Sequence, residues 1–206
     1  MLSCLAAELS GIQLSTVSFF EKTLKYLAGR NRRRLAVVGA SQAMSVYEKI
    51  LPPLLKRYGM ETHSYWIQGI DLDVAESARN CVHLLMHCNQ KSRPDALLIA
   101  DDNLLEHASG GLVSAGTRVP RDIEIVAHCN YPWPTPSVLP VKRVGFDARQ
   151  VLNTALNLID CQRRGESIPR ITVVEALMDD EAKHSQFATA AKNIQVPRGA
   201  VTSTYP

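Results

Sequence analysis

Two short constellations in this sequence have side chains able to do chemistry. The first is Cys81, His83, His87 and Cys88. Cysteine and histidine are the usual ligands of zinc, so the spacing asks whether a metal is held. On a helix each residue turns by about 100°. His83 and His87 then share one face, and the two cysteines lie roughly opposite. Four such ligands cannot converge on one tetrahedral ion. The expectation is therefore no metal, with the cysteines buried and the histidines exposed. The second constellation is Asp101-Asp102, placed directly after the apolar run Ala96-Leu97-Leu98-Ile99-Ala100. A carboxylate there can cap the following helix, since Asp is favoured at an N-cap. It can also accept hydrogen bonds from a ligand. The two roles are compatible, and Asp102 is expected to fill both. Ser41, after Gly39-Ala40, is a further polar corner able to hydrogen-bond a ligand. The chain has no Gly-x-Ser-x-Gly elbow and no phosphate-binding glycine loop. No base and orienting partner stand at a readable spacing, so binding is expected rather than catalysis. Arg30, Arg32, Arg33 and Arg34 form a basic run. It is short and has no interleaved aromatic residues, so it reads as a solvated turn rather than a phosphate contact.

These residues need elements to hold them. Residues 17–28 read as a helix with Phe20, Leu24 and Leu27 on one face, and Ser18 and Glu21 have capping-box spacing. Residues 35–38 form a buried strand ending at Gly39. Residues 43–58 form a helix that Pro52-Pro53 should kink or restart. Strands follow at 62–67, 96–100, 123–126 and 171–176. Helices are expected at 74–88, 104–115 (stopped by Gly116) and 147–159, the last capped by Asp147. A proline-rich loop spans 131–140. Strand–helix alternation with continuous apolar strands predicts a Rossmann-like α/β fold, a parallel sheet with helices on both faces. Ligands bind such sheets at the carboxyl ends of the strands. The functional positions should then follow Val38, Ile67, Ala100 and Val126.

The 206 residues suit one domain, with 46% apolar and 21% charged residues, enough for a core without staples. The net charge of +3 is too small to argue for nucleic acid. No apolar run reaches the roughly 18 residues that span a bilayer, and the start has no secretory signal pattern. Five cysteines at irregular spacing suit reduced cytosolic thiols. Residues 1–180 read as one ligand-binding domain, and residues 181–206 as a loosely ordered tail.

The stretch from Arg93 to His128 resembles the LacI/GalR family of transcription regulators. Pro94-Asp95-Ala96, Asp102, Gly116, Val119-Pro120 and Asp122 fall in register with that family. Upstream, Arg32-Arg33-Arg34-Leu35-Ala36 matches its basic-basic-Ile-Ala run. Downstream, Val144-Gly145-Phe146-Asp147 and Ala155 match its Val-x-x-Asp segment and following helix. The likeness covers residues 15–178. It implies a type I periplasmic-binding-protein-like effector domain with one lobe complete and the other partial. It further implies a small polar, sugar-like ligand, a homodimer, cytoplasmic location, no cofactor, and DNA contact only through a helix-turn-helix that does not precede Ser15 here. Site residues implied by position are Asp102, Tyr47, Ser41, Asp73, Asn130 and Asp101. Several depart from the family: Tyr47 replaces an arginine, Asp73 an aromatic, Asp101 an asparagine, and Ala127-His128-Cys129-Asn130 a Gly-x-Asp-Asp. The other readings are a solute-binding protein of a transporter and a degenerate scaffold kept for dimerisation.

Overall fold

A computed structural model describes residues 10–182. In chain order its elements are β1 (Gly11–Leu14), α1 (Thr16–Gly29), β2 (Leu35–Ala40), α2 (Met44–Tyr58), β3 (Ile67–Ile70), α3 (Ser77–Met86), β4 (Ala96–Ile99), α4 (Leu105–Ser114), β5 (Glu124–Tyr131), β6 (Lys142–Asp147), α5 (Ala148–Arg163), β7 (Ile171–Val174) and β8 (Leu177–Met178). One six-stranded sheet has the order β3-β2-β4-β5-β6-β8. Its first five strands run parallel and β8 closes the edge antiparallel to β6. Alternation along each strand feeds two cores. Leu35, Val37, Leu98 and Val126 face α1 and α2, meeting Phe20, Leu24, Leu51 and Leu54. Ala36, Val38, Leu97 and Ile99 face α3 and α4, meeting Ala78, Val82, Leu105 and Leu112. Helices thus cover both faces of a parallel sheet, as the apolar strand runs require.

A second, two-stranded parallel sheet pairs β1 with β7. Helix α5 lies beside it without one fully buried residue, and Leu152, Leu156 and Ile159 are exposed along it. Ile171 and Val173 are exposed on β7. The large sheet is a complete layered unit; β1, β7 and α5 are not.

Local differences from the sequence reading have physical causes. The cap of α1 is Ser15, not Ser18. Ser15 is extended, and its hydroxyl accepts the Ser18 N–H at 3.2 Å. Helix α2 runs through Pro52-Pro53 unbroken. Both prolines are exposed, as are Glu48 and Lys49 one turn earlier, whose carbonyls lose their helical N–H partners to the proline rings. The strand expected at 62–67 sits at Ile67–Ile70, behind a fully buried Trp66. Gly69 belongs inside it because a Cβ there would lie 3.1 Å from the Ser41 Cα. Strand β5 continues five residues beyond the apolar run to Tyr131. Strands β1, β6 and β8 were not anticipated as strands. Of the tail expected from 181, residues 183–206 lie outside the described residues. Glu181 is fixed by Lys22 at 2.6 Å, and Ala182 is buried.

Candidate functional site at the carboxyl ends of the strands

Strand β4 delivers Asp101 and Asp102 to its carboxyl end. The cap is Asp101: its backbone is extended and its Oδ1 accepts the Asn103 N–H at 3.0 Å. Asp102 therefore does not have the capping role expected of it. It lies one residue inside the turn, which frees its carboxylate to face β5. There it gathers three donors. His128 Nδ1 is 3.2 Å from Oδ1. Asn130 Nδ2 reaches both oxygens, at 3.3 and 3.2 Å. Thr135 Oγ1, on the proline-rich segment, donates to Oδ2 at 3.3 Å. The Asp102 and His128 side chains are each 18% exposed. Phe19 and Phe146 back the His128 ring, with centroids at 5.8 and 6.3 Å.

Tyr47 joins from α2. Its ring meets Phe20 edge-on at 5.0 Å. Gly39 leaves room for it, since a Cβ there would come 3.1 Å from Tyr47 Cε2. Burial, and then the Asp101 carboxylate, push the Tyr47 hydroxyl up, so it stays protonated and able to donate. Tyr47, Asp101, Asp102 and Asn130 thus share one edge. Ser41 and Asp73 do not join their hydrogen bonds. Ser41 is exposed and pairs with Gln42 at 3.3 Å. Asp73 is exposed after edge strand β3, its N–H held by Asp71. His128 and Thr135 were not singled out from the sequence. His128 was legible in principle: continuing the β5 alternation from Val126 places it and Asn130 on one face. Thr135 gave no signal, because a proline-rich loop has no period.

His83 and His87 do share a face, with ring centroids 5.8 Å apart. No group of three metal-ligating side chains converges among the described residues. Cys81 is half-buried, while Cys88 is exposed beyond the end of α3, against the expectation that both cysteines are buried. In the basic run, Arg30 and Arg32 each lie 3.7 Å from the buried Glu124. Arg34 pairs with Asp95 at 3.3 Å, and Asp95 also accepts the Arg33 and Arg34 N–H groups at 2.9 Å. The run staples a helix–strand turn to the sheet.

Glu124 further accepts the Tyr26 hydroxyl at 2.8 Å. Burial first, then that hydrogen bond, push Tyr26 up to about 12. The unfolded chain loses this proton near pH 10, while the folded chain keeps it to about 12. Stability is therefore expected to fall across that window. Tyr26→Phe should flatten the fall in urea midpoints between those pH values. An unchanged slope would show that Tyr26 is not its source.

No helix among the described residues is long and apolar enough to cross a membrane. No curated protein matches the sequence. Solved structures do share the fold. A LacI family transcriptional regulator from Bifidobacterium animalis subsp. lactis is similar with a TM-score of 0.70 and 16% identity, covering 87% of this chain and 65% of that one. A LacI family regulator from Clostridium acetobutylicum gives 0.64 and 19%, over 82% and 64%. One from Lactobacillus casei, with bound glucose, gives 0.63 and 17%, over 81% and 62%. The chain spans less than two thirds of the length of each. The model of a periplasmic binding protein-like domain matches residues 24–179, from within α1 to just past β8. That span holds the whole six-stranded sheet and the polar edge built on it, and the chain belongs to the periplasmic binding protein-like domain family.

Proposed function

We propose that this chain is the effector-sensing domain of a LacI/GalR-like transcription regulator and binds a small polar, sugar-like ligand at the Asp102 edge. The observation that carries this reading is the Asp102–His128–Asn130 cluster at the carboxyl ends of adjacent parallel strands, where open α/β sheets take ligands. All the donors on Asp102 stand at 3.2–3.3 Å. A hydroxyl on a carboxylate prefers roughly 2.5–2.7 Å. Ligand hydroxyls can therefore displace Thr135 and Asn130 with a gain in hydrogen-bond strength. Tyr47, Asp101, Ser41 and Asp73 supply further polar groups around the ligand. Glucose held by the similar Lactobacillus casei regulator supports the ligand class. The work is binding, with no reaction and no cofactor: the ligand shifts the closure of two lobes. On this reading the whole regulator acts on operator DNA. The exposed Leu152, Leu156, Ile159, Ile171 and Val173 favour a homodimer. The free thiols suit the cytosol.

A second reading, a scaffold that binds no ligand, is favoured by one observation. Asp102 already has its acceptor positions filled from within the chain. Thermal denaturation with a panel of sugars, polyols and nucleosides separates the two. Binding at a hundredfold excess over Kd stabilises by about 2.7 kcal/mol, so at least one compound is expected to raise Tm by several degrees. A flat response across the panel would favour the scaffold.

A further inference from the structure

A second cavity lies beside the proline-rich segment and shares one wall residue, Thr135, with the Asp102 edge. Leu139 and Val141 fix this segment against the core beneath α3 and α4. The cavity is about 350 Å3, with Tyr131, Pro132, Pro134, Pro136, Arg143 and Asp179 among its walls. Two of these residues carry donors without acceptors. Tyr131 is 5% exposed, and its hydroxyl has no partner. Arg143 uses Nη2 on the Thr135 carbonyl, but its buried Nη1 has no partner. No carboxylate among the described residues pairs with Arg143. Asp179 is taken by Lys142. A half-buried guanidinium without an anion, next to a buried hydroxyl without an acceptor, is costly unless something supplies both.

We propose that this cavity binds a small monocarboxylate with an apolar body. One carboxylate oxygen accepts from Arg143 Nη1 and the other from the Tyr131 hydroxyl, while the proline rings cover the rest. Burial pushes the Tyr131 hydroxyl far up, so it remains a neutral donor at any working pH. A carboxylate has two acceptor oxygens and one charge, matching two donors and one cation. A phosphate would need more donors and would place a second negative charge close to Asp179. The volume is near the lower end of ligand pockets, roughly 300–1,000 Å3, which limits the body to a short chain or a single ring.

The test uses the full chain in thermal denaturation at constant ionic strength. Butyrate and benzoate are each compared with butyramide and benzamide, and with inorganic phosphate. Each carboxylate is expected to raise Tm with concentration, while the amides and phosphate do not. Tyr131→Phe is the informative variant because it removes only the unpartnered hydroxyl. Without additive its Tm should equal or exceed that of the wild type. Its affinity for the better carboxylate should fall about tenfold, the loss of one charge-assisted hydrogen bond. The proposal is overturned if the amides or phosphate act as strongly as the carboxylates, or if Tyr131→Phe binds as tightly as the wild type. It is equally overturned if Tyr131→Phe alone lowers Tm by several degrees, since the hydroxyl then already has a partner such as an internal water.

Discussion

Replacing Gly145 with alanine is expected to cost about 4 kcal/mol or more, at the diagnostic end of single-residue effects. Gly145 lies opposite Cys129 in the β5–β6 ladder. An added Cβ would overlap the Cys129 carbonyl oxygen and stand 2.7 Å from its carbon and 2.8 Å from its nitrogen. All three are main-chain atoms of a central strand, so no side chain can move aside. The strands would have to separate along a ladder that runs from Val126 to Tyr131. His128 and Asn130 lie on that strand, so the polar edge would be lost with the pairing. Urea unfolding of Gly145→Ala measures the cost. A loss below 1 kcal/mol would mean that β5 and β6 are not held this closely.

Asp102→Ala is expected to cost about 2–3 kcal/mol, because it leaves His128, Asn130 and Thr135 without their shared acceptor. The loss does not come from capping, which belongs to Asp101. Asp101→Ala should cost only about 1 kcal/mol, an ordinary cap loss. Asp102→Asn keeps one acceptor oxygen and should lie between the two. In the ligand-bound protein it should also weaken affinity by about 1.5–3 kcal/mol, the range for a charge-assisted hydrogen bond. Chemical denaturation of the three variants fixes the order. Asp101→Ala proving more damaging than Asp102→Ala would return the structural role to Asp101 and remove Asp102 from the centre of the edge.

The sheet and its two layers were legible because buried parallel strands are continuous apolar runs and each is followed by a periodic helix. Leu35 to Val38 and Ala96 to Ala100 are such runs, and both are central strands. Position after Ala100 and Val126 was enough to bring Asp101, Asp102 and Asn130 to one edge, whereas Tyr47, on α2, was implied by the family resemblance. The assignment between Asp101 and Asp102 was not legible. Either residue can cap, and the choice depends on where the backbone leaves the extended region, a matter of one residue. Ser41 and Asp73 follow their strands as expected, yet β3 is the sheet edge and leaves Asp73 outside the cluster. Strand β6 was hidden because Gly145 breaks its β-propensity, and the reason for that glycine is a contact 16 residues away in sequence, between Cys129 and Gly145. Thr135 reaches Asp102 only through the path of the loop, which proline content marks as a loop without giving its course.

A small polar ligand bound on the Asp102 edge would perturb the backbone amides around that carboxylate. The direct measurement is 1H–15N chemical-shift mapping of the wild-type chain, titrated with the strongest compound from the thermal panel. The amides of Tyr47, Asp101 to Asn103 and His128 to Asn130 are predicted to move together and to saturate at one Kd. Saturable shifts confined to other surfaces, with these amides unmoved, would place the ligand elsewhere and overturn the Asp102 site.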